Sequence, residues 1–200
     1  VPSHLIEKAE AIAVIPDVVK AGLVIGGRHG RGLISVRSPD GTWSNPSFIS
    51  ITGGSIGFQA GVQSTDVVLV FRSKRGVDQI VNGKFTLGAD AAVAAGPVGR
   101  NAQASTDAQL KAEIYSYSRS RGLFAGPRIA VDLGLELGEI YSYSRSRGLF
   151  AGVALDGSVL SIDHDSNQST YGRNITPRRI FEGGVGAVPN AVVDFRDRIE

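Results

Sequence analysis

EIYSYSRSRGLFAG stands at Glu113–Gly126 and again, letter for letter, at Glu139–Gly152. In the first copy Ile114, Ser116 and Ser118 alternate with Tyr115, Tyr117 and Arg119. A period of two gives a strand two different faces. Arg121-Gly122 predicts a turn and Leu123-Phe124 the return, so each copy reads as strand, turn, strand. Between the copies Ile129, Val131, Leu133, Leu135 and Leu137 alternate with Ala130, Asp132, Gly134 and Glu136, the cleanest half-buried strand pattern in the chain. A solenoid needs about three or more comparable units, and the rest of the sequence supplies none, so this is one local duplication. Two identical strands suit the same place in a sheet. The copy that does not occupy that place is left to extend the sheet or to pair with another molecule.

Working outward, strand signals dominate. AGLVIGG (21–27) and RGLISVR (31–37) flank GRHG, which predicts a hairpin connection. SPDGTWSNP (38–46) is a turn-rich loop around Pro39-Asp40-Gly41. SFISIT (47–52) alternates, and TDVVLVFR (65–72) is a largely apolar, β-branched run. RGVDQIVN (75–82) predicts a short helix ended by Gly83. GKFTLGADAAVAAGPVG (83–99) returns to small-residue strands and turns.

Helical signals lie at the ends. Ser3 caps a predicted amphipathic helix over Ser3–Ala13, with Leu5, Ile6, Ala9, Ile12 and Ala13 on one face and Pro16 as its stop. Thr176-Pro177 is a cap followed by proline at the first helical position. Asn190 starts a last helix, with Val192, Phe195 and Ile199 inward. The fold expected is α+β: a curved, mainly antiparallel β-sheet or partly closed barrel, with N-terminal and C-terminal helices. Residues 1–200 read as a single domain carrying the duplicated segment at 113–126 and 139–152.

The composition fits this reading. Glycine is abundant, at 26 of 200 residues, which suits turns and curved strands better than a helix bundle. The net charge of +2 makes a weak overall field, so anion binding must come from local clusters such as Arg28 with Arg31 and Arg37. Cysteine is absent, which excludes disulfides and thiolate metal sites. A start at Val1 without methionine reads as a trimmed beginning. No apolar run approaches the ~20 residues that span a bilayer as a helix.

The chemical motifs are weak. Gly53–Gly57 fits G-x-S-x-G around Ser55, but a nucleophile elbow needs a helix after its strand, and FQAGVQS is a poor one. His164 follows in chain order only, so a glycine-rich bend is expected in place of a hydrolase. Asp163, Asp165 and Asn167 match the start of a calcium loop, yet Gln168 and Asn174 stand where glycine and glutamate are required. His4, His29 and His164 lack zinc-ligand spacing. GGRHGRG offers glycines and arginines for a phosphate nest, within a predicted hairpin. The Tyr/Arg face of YSYSRSR resembles a base-stacking platform, but a net charge of +2 argues against nucleic acid as a partner.

Taken together, the chain resembles the SYLF domain family. The resemblance is carried by AIAVIPDVVKAGLVIGGRHGRG (11–32), DGTWSNPSFISITGGSIGFQAGVQSTDVVLVF (40–71), GKFTLGADAAVAAGPVGRNA (83–102) and EIYSYSRSRGLFAGVALDGSVLSID (139–163). Family members have one copy of the repeated segment, running directly into the aspartate-containing turn. Here the second copy does so, whereas the first is followed by Pro127, which makes Pro127–Gly152, or an equivalent 26-residue window, the extra piece. The resemblance implies a domain that is not an enzyme, needs no cofactor and binds anionic phospholipids such as phosphoinositides at a membrane surface. Actin binding or self-assembly through an added strand is the alternative. It further implies a peripheral membrane location, in the periplasm or cell envelope of a bacterium or in the cytoplasm of a eukaryote. The expected lipid-binding residues are Leu5 and Ile6, inserting shallowly from the N-terminal helix, with Lys8, Lys20, Arg28 and Arg31 meeting phosphates.

Overall fold

The sheet is organised around β1 (Ala11–Gly22), which pairs antiparallel with β2 (Ile25–Val36) on one side and β4 (Ala60–Phe71) on the other. This is a computed structural model, and the residues it describes are 3–22, 25–56, 60–90, 93–95, 114–125, 142–144, 150–151, 155 and 157–199. β3 (Ser47–Ile56) pairs with β2, and β10 (Val159–Ile162) joins β3 to β5 (Lys84–Thr86). Beyond β4 lie β7 (Ile114–Ala125) and the parallel β6 (Val93–Ala95). The strand order is β5-β10-β3-β2-β1-β4-β7-β6. β8 (Ser142–Ser144) and β9 (Phe150–Ala151) also pair with β7. Among the described residues β5 and β6 do not pair, so the sheet is open. This is the expected α+β fold with a curved, mainly antiparallel sheet.

The core lies on the sheet face shared by Ala13, Ile15, Val18, Ile34, Ile49, Ile51, Val67, Leu69 and Leu160, all buried. Alternate residues of β2 from Gly30 to Ile34 are buried, so the period of two places one face inward. Helix α2 (Lys74–Asn82) covers this face with Val77 and Ile80. Helix α4 (Pro177–Phe181) adds Phe181 against the same cluster. Each fully buried Ile, Leu or Phe contributes about 1.5–3 kcal/mol. Gly83 follows α2 directly, and Thr176 Oγ1 accepts the Arg179 N–H at the start of α4, as the sequence predicts. Helices α3 (His164–Tyr171) and α5 (Asn190–Ile199) complete the C-terminal set, with Val192 of α5 buried.

Three local expectations change. The N-terminal helix α1 spans Ser3–Glu7, not Ser3–Ala13, because Ala11–Val14 pair with strands on both sides. Ladder bonds on two flanks outweigh the helical spacing of Ile12 and Ala13. Pro16 does not stop a helix: it sits in β1 where the register shifts against both neighbours, so its missing N–H breaks no ladder. Asp17 there has φ +50°; its N–H donates to Asp66 Oδ1 at 3.2 Å, and its Oδ1 accepts from Ser64 Oγ at 2.8 Å.

GRHG is not a hairpin turn; it runs straight through β2. Its glycines serve close approach. A Cβ on Gly32 would lie 2.2 Å from the Val14 carbonyl oxygen, and one on Gly30 would lie 2.8 Å from Val18 Cγ2. The bulge of β1 therefore packs against bare β2 backbone.

The first repeat copy is one continuous strand, not strand, turn, strand. All twelve residues of β7 register against β4, with Gly122 opposite Gln63 where a turn was expected. The alternating stretch Ile129–Leu137 lies outside the described residues.

Candidate binding surface

Beyond the last core layer the same sheet face becomes basic. Val18 stands opposite Thr65, and Gly30 opposite Ile51, which faces Leu160. One layer further along, Lys20 stands directly opposite Arg28, and Arg28 opposite Gly53. Like charges placed opposite on one face are unfavourable unless something anionic lies between them. Arg28 is half-buried and donates from Nη1 to Ser158 Oγ at 3.0 Å. Burial pulls its pKa below the ordinary guanidinium value, the mark of a charge held partly out of water, although an arginine remains protonated. On the other face, Cβ atoms on Gly27 and Gly54 would meet nothing within 4 Å. The end of the sheet is thus bare and open there.

Arg31 points away from the core, with its side chain 72% exposed and Nε 3.6 Å from Asp163 Oδ2. Lys8 is exposed just after α1. Lys20 and Arg28 are therefore brought together, whereas Arg31 and Lys8 face elsewhere. Leu5 is only 5% exposed and packs with Ala9, Ile12, Trp43 and Val70, with Ile6 against the same cluster. Its apolar surface is spent on the sheet, so membrane insertion by Leu5 requires α1 to undock.

The residue that holds α1 in place escaped the sequence reading. Arg37 Nη2 donates to the Ile6 carbonyl at 2.8 Å, Nε to the Ala9 carbonyl at 2.9 Å and Nη1 to the Gly41 carbonyl at 2.9 Å. These bonds tie the chain leaving α1 to the loop at Gly41. The available signal was Arg37 beside Pro39-Asp40-Gly41, a turn that brings Trp43 back opposite Arg37.

The weaker motifs resolve structurally. Ser55 lies in β3 opposite Gly26, and the next described element is strand β4, so no elbow forms. Asp163 caps α3: Oδ1 accepts the Ser166 N–H at 3.0 Å and Oδ2 the Ser166 hydroxyl at 2.8 Å. Asn167 is fully buried, accepting from the Phe48 N–H and donating to Ser47 Oγ. Among the described residues no group of His, Asp and Glu is clustered to hold a metal.

A family profile described as Ysc84, Las17-binding protein actin regulator, matches residues 52–136 and 130–200. Each matched piece contains one copy of the repeat. The chain is 35% identical over 194 residues to Protein YSC84 of Saccharomyces cerevisiae, a match covering 96% of this chain and 36% of that protein. It is 41% identical over 186 residues to SH3 domain-containing YSC84-like protein 1 of Mus musculus, covering 92% of this chain and 47% of that protein. It is 34% identical over 199 residues to LAS seventeen-binding protein 3 of Saccharomyces cerevisiae, covering 98% of this chain and 38% of that protein. The chain thus spans between about a third and a half of the length of these relatives. No solved structure matches.

Proposed function

The chain belongs to the Ysc84 (SYLF) family, and from that premise we propose that it is a non-catalytic binding domain that adsorbs to anionic phospholipid surfaces. The observation that carries this reading is the Lys20–Arg28 pair, two cations opposed in register at the end of the core face. A phosphate at this end of the sheet can be met by both side chains, with Arg28 also held by Ser158. Each basic residue at an anionic membrane is worth about 1 kcal/mol, so the pair alone gives weak, salt-sensitive adsorption at a peripheral location. Lys8 and Arg31 add to it only in orientations that bring their faces to the membrane. Leu5 and Ile6 insert only after α1 leaves its seat. Co-sedimentation with phosphatidylserine or phosphoinositide vesicles tests the reading. Binding falls several-fold with Lys20→Glu and with raised salt, while phosphatidylcholine vesicles bind little. Binding indifferent to both changes would overturn it.

The family profile and the names of its relatives favour a second reading, in which the domain contacts actin or an actin-regulating partner. Pelleting with actin filaments in the absence of lipid separates the two.

A further inference from the structure

The two copies of the repeat pair with each other. β7 belongs to the first copy; β8 and β9 belong to the second. On the edge of β7 away from β4, Gly122, Leu123 and Phe124 pair with Ser144, Tyr143 and Ser142, while Tyr117 and Ser118 pair with Ala151 and Phe150. Both runs are antiparallel. In the repeat, Ser144 corresponds to Ser118, and Phe150 to Phe124. Gly122 therefore meets the counterpart of Ser118, and Ser118 meets the counterpart of Phe124. These pairs are disposed about the segment's own midpoint, at Ser120–Arg121.

A segment paired antiparallel with an identical segment about its own centre is the geometry of an isologous, two-fold dimer contact. The molecule builds that contact within one chain. Because the partner segments are identical, the same backbone ladder is available between chains. We infer that the second copy is an exchangeable strand, and that two molecules form a reciprocal dimer in which each donates its second copy to the outer edge of the other's β7. The occupant is thus a second copy of this chain. The balance is set by concentration: the connection 126–141 holds the internal strand at an effective concentration on the order of mM, so exchange requires co-refolding or high protein concentration.

The cysteine-free chain allows a direct test. Leu123 and Tyr143 are register partners, so Leu123→Cys in one molecule and Tyr143→Cys in another become disulfide-linked only across an exchanged contact. The two single variants are unfolded, mixed, refolded at rising concentration and oxidised. A heterodimeric disulfide is expected, increasing with concentration and at least several-fold above a control pairing Leu123→Cys with the exposed Thr42→Cys. The double variant Leu123→Cys with Tyr143→Cys is expected to close within one chain when refolded dilute. Heterodimer no more abundant than the Thr42→Cys control overturns exchange. Failure of the double variant to close within the chain overturns the pairing on which it rests.

Discussion

Arg37 lies over the ring of Trp43, its guanidinium carbon 4.4 Å from the ring centroid, while its nitrogens donate to three backbone carbonyls. One side chain thus joins α1, the segment between α1 and β1, and the loop at Gly41. Trp43 in turn is only 5% exposed and packs with Leu5 and Val70. Charge-assisted bonds and a half-shielded cation–π contact each exceed an ordinary surface pair. Arg37→Ala is expected to cost about 2–4 kcal/mol in urea unfolding. Arg37→Lys is expected to recover less than half, because a single ammonium cannot span the three acceptors in the plane of a fork. Full recovery by lysine would show that charge alone holds the helix.

The same clamp governs access to Leu5. If membrane adsorption uses α1, Arg37→Ala is expected to raise vesicle binding severalfold while lowering stability. Reduced or unchanged binding in a still-folded Arg37→Ala variant would confine adsorption to the Lys20–Arg28 end of the sheet.

Glycines one strand face apart are expected to behave oppositely. Gly32→Ala places a methyl 2.2 Å from the Val14 carbonyl oxygen and 2.8 Å from Ile15 Cα, both backbone atoms that cannot swing aside. The strands must separate, at a cost of about 3 kcal/mol or more. Gly27→Ala meets nothing within 4 Å and is expected to change stability by less than about 1 kcal/mol. Thermal melts of the two variants check the contrast; equal losses would show that β1 does not press on β2 at the bulge.

How much of this was legible follows from which physics acts locally. The sheet was readable because the alternation of SFISIT and the β-branched run of TDVVLVFR are local properties of each strand. The cap at Thr176 likewise involves residues three apart, whereas Asp163 was read only against a calcium loop and its cap on α3 was not anticipated. The true length of α1 was not readable, since Ile12 and Ala13 fit helix spacing and only pairing with Val70, Leu69, Ser35 and Ile34 makes them strand. GRHG looked like a turn because glycine is usually spent on turns; here it admits a neighbouring backbone, which no local pattern announces. Of the candidate site, the basic residues were identified, but the opposition of Lys20 and Arg28 depends on the β1–β2 register, and the buried seat of Leu5 on Trp43.

Alkaline pH is expected to probe the contact of α3 with the loop before β3. Burial pushes the Tyr171 hydroxyl up to about 12, and it donates to the Pro46 carbonyl. A phenol whose folded pKa lies above its unfolded value near 10 favours the protonated native state. That contribution is fully present below about pH 10 and is lost as pH rises toward 12. Ultraviolet titration should show a phenol ionising near pH 12 that Tyr171→Phe lacks. Tyr171→Phe should be less stable at pH 7 by about 1 kcal/mol and should flatten the decline above pH 10. An unchanged alkaline decline in that variant would assign it to other groups.

Acid probes the other end of the same helix. Burial alone would raise the Asp163 carboxyl, but two bonds from Ser166, with Arg31 and His164 nearby, outweigh it and hold the pKa below the usual carboxylate range. A depressed carboxylate stabilises the fold above its unfolded pKa of about 3.9, and the contribution is lost as pH falls through the lower, folded value. Asp163→Asn is expected to cost about 1 kcal/mol at pH 7, within the range of helix N-caps. It should also narrow the stability difference from the parent chain below about pH 4. A difference that stays constant down to pH 2 would mean that the carboxylate charge contributes nothing.

Asn167 offers the sharpest test of how α3 is fastened to the sheet. Its carboxamide is fully buried, with Oδ1 accepting the Phe48 N–H at 2.8 Å and Nδ2 donating to Ser47 Oγ at 3.0 Å. Asn167→Leu is close in size but strands the Phe48 N–H, a loss of about 1–3 kcal/mol. Asn167→Asp keeps the acceptor for Phe48 but places a buried charge beside Ser47 and removes the amide donor, although the serine hydroxyl can turn to donate to the new carboxylate. The aspartate is therefore expected to be destabilised at pH 7 and to recover partly as pH falls and the carboxyl is protonated, the reverse of the trend at Asp163. Denaturant midpoints of Asn167→Asp measured between pH 4 and 8 decide the matter. A midpoint that drops on acidification as the parent's does would show that residue 167 is not enclosed, and that α3 is held to the sheet by packing alone.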